Sequence, residues 1–411
     1  MRVFKLILVL ALIVSCKSET KKETTSNIDE VSKKIESLKN PISGNSSLPR
    51  LFSSENKLFL SWIEKIDTTA FLKYTVREND SWSEPQLINS GSDWFVNWAD
   101  FPAIAESNGN ILTNFLQKSA DGTYTYDVKL NLYNSTEQSW KKNFILHNDG
   151  TQSEHGFVSM RPYVGNSFVV VWLDGRETVG KEHGGGQMTL RAAIVFEDGT
   201  IDYDTLIDER VCDCCQTALA IGPNDEIIVA YRDRSDNEIR DISIVRWEME
   251  TGWSKPMTIG NDNWKIEGCP VNGPSIDANG TNVGLAWFTG VEGEGRVNVA
   301  FSTDAGITFG EPTRVDAGNA TGRVAIQMIS ETEAAVLWME PSGDDELIQL
   351  IKVNLNGTTA EPITISKKNA ERASGFPQMQ LIDSKIVIAF TKLIQENSST
   401  IETRYIDILS L

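Results

Sequence analysis

Seven times along the chain a short apolar run is followed, after a polar turn, by a second apolar run that ends in an aromatic residue. The units begin near Pro49, Pro102, Pro162, Thr217, Pro274, Val324 and Pro377, and the second runs end at Trp62, Phe115, Trp172, Tyr231, Trp287, Trp338 and Phe390. Start-to-start spacings are 53, 60, 55, 57, 50 and 53 residues. Short strands at a period near 50, with no helical periodicity, predict an all-β chain folded as a single β-propeller. Each unit is then one four-stranded blade. The count is seven, or six if one unit is irregular.

The strands read locally as well. Ser167-Phe-Val-Val-Val-Trp172, Glu226-Ile-Ile-Val-Ala-Tyr231 and Lys385-Ile-Val-Ile-Ala-Phe390 are β-branched, aromatic-ended and bounded by turn residues. Their near-continuous apolarity suits inner strands covered by blades on both sides. Arg240-Asp-Ile-Ser-Ile-Val-Arg246 alternates, as a half-exposed third strand should. Fourth strands follow turns of the type Trp82-Ser-Glu-Pro85, Trp253-Ser-Lys-Pro256 and Phe309-Gly-Glu-Pro312. The last unit reaches Leu411 after about three strands, so residues 40–48 are expected to supply its fourth. Closure by both termini removes exposed strand edges.

The N-terminus reads differently. Arg2 and Lys5 precede an apolar stretch, Leu6 to Val14, too short for a spanning helix. Ile13-Val-Ser-Cys16 resembles a bacterial lipobox, which implies a signal peptide over 1–15 and lipidation of Cys16. Residues 16–47 are polar and read as a tether, with a short helix between Ile28 and Leu38. The propeller domain is then 48–411. Net charge is −19, and loss of Arg2 and Lys5 with the signal peptide leaves about −21. That acidity excludes a nucleic-acid partner, which needs a basic footprint. The expected location is the bacterial cell envelope, with the lipid as the membrane contact. Oligomeric state is not legible.

Phe301-Ser-Thr-Asp-Ala-Gly-Ile-Thr-Phe309 resembles the Asp-box of sialidases and related propellers, a turn motif at the blade rim. Catalytic sialidases carry an Arg-Ile-Pro segment in the first blade, where this chain has Leu48-Pro-Arg-Leu51. Their Tyr–Glu pair has no placement in this sequence. Glu154-His-Gly-Phe157, Trp172-Leu-Asp-Gly-Arg176, Met188-Thr-Leu-Arg-Ala-Ala193, Arg210-Val-Cys-Asp-Cys-Cys-Gln-Thr217, Tyr231-Arg-Asp-Arg-Ser235 and Gly268-Cys-Pro-Val-Asn-Gly-Pro274 resemble a bacterial family of sialidase-like lipoproteins. The resemblance implies a sialidase-like propeller.

Inter-blade connections and the loops after second strands gather at one end of a propeller channel, and the unusual residues fall there. Asp100, Glu154, His155 and Asp174 are candidate acids and bases. Arg161, Arg176, Arg232, Asp233, Arg234, Arg240, Asn272 and Arg323 are candidate ligand contacts, since guanidinium forks suit carboxylate or sulfate. Cys212, Cys214, Cys215 and Cys269 fit either disulfide staples between blades or a copper or zinc site; no cofactor is firmly implied. Three functions follow. The first is binding or cleavage of an anionic glycan at the channel mouth, as a glycoside hydrolase or polysaccharide lyase. The second is a non-catalytic binding or assembly module. The third is a metal or redox protein built on the cysteines.

Overall fold

The computed structural model describes residues 35–181, 186–395 and 398–411. Seven antiparallel sheets of four principal strands form a ring, each strand pairing with the next in sequence. Blade I holds Ser46–Ser54, Lys57–Ile66, Thr69–Glu78 and Gln86–Gly91; blade II holds Ile104–Ser107, Asn110–Lys118, Tyr126–Asn134 and Ser139–Ile145. Blade III runs from His155–Pro162 through Phe168–Asp174 and Met188–Val195 to Ile201–Val211. Blade IV contains Ala218–Ile221, Ile227–Arg232, Ile242–Glu248 and Met257–Ile259; blade V contains Ser275–Asn279, Asn282–Thr289, Arg296–Ser302 and Thr313–Arg314. Blade VI contains Gly322–Met328, Glu333–Ser342, Asp345–Asn354 and Ile363–Asn369. Blade VII combines Gln378–Ile382, Lys385–Gln395 and Ser398–Asp407 with Ile35–Ser37 from the other end of the chain. The architecture is a seven-bladed propeller of the sialidase-like type.

The aromatic residues that mark the repeat are its core. All seven second-strand aromatics are at most 2 % exposed. Each removes a large apolar area from water, about 2–3 kcal/mol per side chain. Four of the five polar tips are paired, and the Trp62 indole N–H has no partner. The Trp172 indole donates to Asp174 at 2.9 Å, Trp287 to Asp262 at 2.8 Å and Trp338 to Glu340 at 2.8 Å, while Tyr231 donates to Asp208 at 2.6 Å.

A second recurring device sits where the first strands begin. Blades I, III and VI each break register there, between Ser47 and Arg50, Gly156 and Ser159, and Gly322 and Ala325. Each bulge holds a non-glycine residue at positive φ: Leu48 (57°), Phe157 (54°) and Arg323 (55°). The neighbouring blade holds the displaced N–H. Leu48 donates to Thr391 Oγ1 at 3.2 Å, Phe157 to Asp100 Oδ1 at 2.8 Å, and Arg323 to Asn272 Oδ1 at 2.7 Å. Strained bulges of this kind re-aim side chains and are held by their surroundings. Close approach is built in: a Cβ on Gly156 would lie 1.9 Å from Asp100 Oδ2.

The N-terminal boundary differs from the expectation. The closing strand is Ile35–Ser37, paired antiparallel to Ser398–Asp407, and Ser46–Ser54 is the innermost strand of blade I. Residues 35–37 are therefore strand, not helix. The polar residues between them reach across the junction: Asn40 donates to Ile401 O and Thr403 Oγ1. Cys16 and the signal segment lie outside the described residues, as does His183. Among the described residues no helix is long and apolar enough to cross a membrane.

The Asp-box forms the turn its sequence implies. Asp304 accepts from the Thr308 backbone N–H at 2.9 Å and its hydroxyl at 2.6 Å, and Ser302 Oγ accepts from Gly306 N at 2.8 Å. Phe309 packs inward. The motif lies at the outer turn of blade V, away from the strand-start face.

Candidate functional site

The first strands of six blades line a central cavity of about 90 Å³. Arg50, Arg161, Asp277, Gln327, Gln378 and Gln380 bring polar groups into it. Arg50 donates to Gln378 Oε1 at 2.7 Å. Burial, and then the nearby Arg161 charge, lower Arg50 to about 10, while burial raises Asp277 to about 6.

The mouth of this channel is covered. The segment 97–101 leaves blade I and crosses it. Ala99 O accepts from Gln216 Nε2 at 2.5 Å, Trp98 stacks on Phe376 at 6.0 Å, and Phe101 packs on Phe376 at 5.7 Å. These contacts join the connections leading into blades II, IV and VII. The strand-start face thus carries an aromatic platform instead of an open arginine-lined funnel.

Beside the platform, two carboxyl groups meet one phenol. Tyr126 OH lies 2.7 Å from Glu154 Oε1 and 3.3 Å from Asp100 Oδ2. Asp100 is 3 % exposed, and burial raises it to about 8. Glu154 is half-buried, and burial together with the Asp213 charge raises it to about 7. Asp100 is therefore a protonated acid at neutral pH that also holds the blade III bulge. Glu154 is poised to exchange a proton.

His155 turns the other way. It is fully buried, with Nε2 3.1 Å from Asp149 Oδ2 and 3.7 Å from Asp174 Oδ1. Its ring stacks on His147 at 3.6 Å, and His147 Nδ1 lies 3.1 Å from Asp149. Arg176 closes this network with a fork onto Asp174 at 2.7 Å from both Nε and Nη2, and lies 3.2 Å from Asp149. His147 Nε2 has no hydrogen-bond partner and lies 3.7 Å from Asp127 Oδ1. Asp127, His147 and His155, and likewise Asp149, His155 and Asp174, hold their ligand atoms within 4.8 Å of one another.

The other arginines are also engaged. Arg232, 2 % exposed, donates to the carbonyls of Asn272, Arg240 and Phe288 and lies 5.0 Å over Trp264. Arg323 donates to Ser374 Oγ and Gly375 O and stacks against Trp98 and Phe376. Arg234 pairs with Glu238 at 2.8 Å and Asp213 at 3.1 Å. Arg240 pairs with Glu238 at 2.8 Å. Asp233 takes the Ser243 hydroxyl at 2.8 Å. Arg161 stands apart, inside the channel.

The four cysteines among the described residues are free thiols, and three of them come together. The sulfurs of Cys212, Cys214 and Cys215 lie within 4.8 Å of one another, and Cys212 is 3.6 Å from Cys215. Cys269 comes from the next inter-blade connection, and Cys214 is the main influence lowering its thiol. Hydrogen bonds from Cys214 and Cys215, with the Arg240 and Arg232 charges, hold Cys212 well below the usual thiol range.

Several contributors escape a reading of the sequence: Tyr126, Asp149, the aromatic cap and the channel residue Asp277. Tyr126 sits on a third strand and reaches the site because its backbone bridges Glu154 in parallel. The aromatic run Trp94-Phe-Val-Asn-Trp98 in a connecting segment was the available signal for the cap.

No protein-family model matches the chain, and no curated protein matches it. Solved structures do match across most of its length. An ulvan lyase of a polysaccharide lyase family, bound to -[GlcA(1-4)Rha3S]-, is 10 % identical with a TM-score of 0.55, covering 91 % of this chain and 94 % of that one. A protein of unknown function from Dyadobacter fermentans is 11 % identical with a TM-score of 0.50, covering 91 % and 98 %. The phage phi92 endosialidase is 9 % identical with a TM-score of 0.51, covering 91 % and 69 %. At such identities the likeness is one of fold, a β-propeller like those of the sialidases.

Proposed function

We propose that this is an extracytoplasmic propeller that binds and processes an anionic glycan on its strand-start face, with Glu154 as the proton-exchanging group. The observation that carries the reading is the half-buried Glu154 carboxyl, raised to about 7 and bonded to Tyr126, beside the Trp98–Phe376 platform. Sugar rings present C–H faces that pack on aromatic side chains, and a carboxyl near neutrality both takes and returns protons. Edges of Arg176 and Arg234, 19 % and 14 % exposed, remain at the surface for acidic groups.

The geometry favours elimination over hydrolysis. Hydrolysis with two flanking carboxyl groups needs both to reach the sugar. Asp100 is buried and committed to Phe157 N, so Glu154 acts without a second accessible carboxyl from this pair. In elimination Glu154 takes the proton α to a uronate carboxylate, the adjacent C–O bond breaks, and the leaving oxygen is protonated by water. The ulvan lyase shows that a related propeller binds a uronate-containing sulfated glycan.

The test is a panel of uronate-containing, sulfated and neutral polysaccharides, read for turnover by absorbance of the unsaturated product and for binding by calorimetry. Turnover that falls by about 100-fold or more in Glu154→Gln with binding retained supports the assignment. Binding without turnover, unchanged in Glu154→Gln, identifies a binding module. Neither result on any polymer ends the reading. We further propose attachment to the cell envelope through Cys16; Cys16→Ala should move the protein from the membrane to the soluble fraction.

A further inference from the structure

The cysteine cluster is outside the glycan reading and has its own chemistry. Cys212, Cys214 and Cys215 lie on the connection from blade III to blade IV, and Cys269 on the connection from blade IV to blade V. We propose that these four sulfurs bind one thiophilic d10 metal ion, Zn(II) or Cu(I), and thereby tie the two connections together across blade IV.

Four observations carry this. The first is spacing. Two thiolates on one tetrahedral ion with bonds near 2.3 Å stand about 3.8 Å apart. Cys212 and Cys215 stand 3.6 Å apart, and Cys214 lies within 4.8 Å of both. Three sulfurs are therefore already gathered as a ligand set, and the exposed Cys269 on the next connection is the proposed fourth.

The second is the donors aimed at sulfur. Arg240 Nη1 lies 3.3 Å from Cys212 Sγ, and the Asn272 backbone N–H donates to Cys215 Sγ at 3.4 Å. N–H groups directed at sulfur stabilise thiolates and orient them, as the supporting groups around metal–thiolate centres do. The third is charge. Thiolates gathered in a chain of net charge −19 need local cations. Arg232, Arg234 and Arg240 surround this spot, and Arg240 contacts both Cys212 and Glu238.

The fourth is graded exposure. Cys212 and Cys215 are buried, Cys214 is half-buried and Cys269 is exposed. A closed structural zinc site hides its ligands. This set has a dry interior and a wet outer ligand, a form suited to taking an ion from solution and giving it up. Soft sulfur ligands select Cu(I) and Zn(II) over hard cations, and binding exchanges each thiol proton for the metal.

The experiment uses the full chain, purified anaerobically without chelator. Zinc and copper are measured by plasma mass spectrometry, and thiols are counted under denaturing conditions before and after chelation. Zn(II) and Cu(I) are then titrated separately against chromophoric competitors. The proposal expects one ion per chain, thiols protected until the ion is removed, and tighter retention of one of the two ions, which names it. Cys214→Ser should weaken that binding by about 100-fold or more and Arg240→Ala by about tenfold. Thiol protection in the unsubstituted protein is read independently of whether either variant folds. Two outcomes overturn the proposal: a metal-free chain with no titratable thiol, meaning two disulfides, and a chain with reactive thiols that retains neither ion.

Discussion

The junction between blades II and III and the junction between blades V and VI use one clamp with two chemistries. In each, a bulged residue at positive φ donates its N–H to a side chain placed just before the first strand of the preceding blade. At the V–VI junction that side chain is the amide of Asn272, which also donates to Pro270 O and Thr321 O. At the II–III junction it is the carboxyl of Asp100, which also meets Tyr126 and through it Glu154. The backbone requires only an acceptor. The carboxyl is a departure from what the repeat needs, and its neighbours are the groups suited to proton transfer. Departures of this kind mark where a repeat has been adapted.

Exchanging the two groups tests this directly, and the largest effect is expected in Asn272→Asp. A carboxylate there would face the Pro270 and Thr321 carbonyls in a buried setting, costing about 3 kcal/mol at pH 7 in urea unfolding, with relief as the pH falls. A variant as stable as the parent at pH 7 would break the comparison. Asp100→Asn should be tolerated, because it substitutes an amide for an already protonated acid. Its pH dependence is the sharper measurement. Asp100 is raised by burial from 3.8 to about 8, so the folded chain binds the extra proton in that window. The stability this group contributes is present below about pH 4 and lost as pH rises through 8. Asp100→Asn should therefore gain on the parent across that range, by on the order of a few kcal/mol.

His147 gives a smaller effect of opposite sign. Burial, then the His155 charge, lower it from 6.5 to about 4, against the opposing pull of Asp149, Asp127 and Asp174. Its contribution is present above pH 6.5 and lost as pH falls through 4. His147→Asn should flatten the acid limb of the stability curve by about 1–2 kcal/mol. The smallest effect belongs to the rim: Asp304→Ala should cost about 1 kcal/mol and leave glycan and metal binding unchanged.

The ring was legible in the sequence because its signal is repeated seven times and each copy has a physical cause, a buried aromatic at a strand end. Site chemistry lacked that redundancy. Arg232 and Arg323 are conspicuous in sequence, yet which carbonyls they satisfy depends on how three connections meet. The bulges at Leu48, Phe157 and Arg323 are silent because the positive-φ position itself carries Leu, Phe or Arg, not glycine. Tyr126 looks like any third-strand aromatic until the fold places it against Glu154. The cysteines were visible, and their placement on successive connections followed from the blade order. The closing strand was misplaced because Ile35–Ser37 is three residues long, and its anchor, Asn40, lies in polar sequence that resembles a tether.

That three-residue strand has a consequence for biogenesis. Blade VII pairs Ile35–Ser37 with Ser398–Asp407, more than 360 positions later, and Asn40 bonds Ile401 across that gap. Six blades can form in the order in which they are synthesised; the seventh is complete only once Ser398–Asp407 has been made. Pairing across so long a separation makes completion of blade VII a late, non-local folding step. Removal of residues 35–37 would bare the outer edge of Ser398–Asp407.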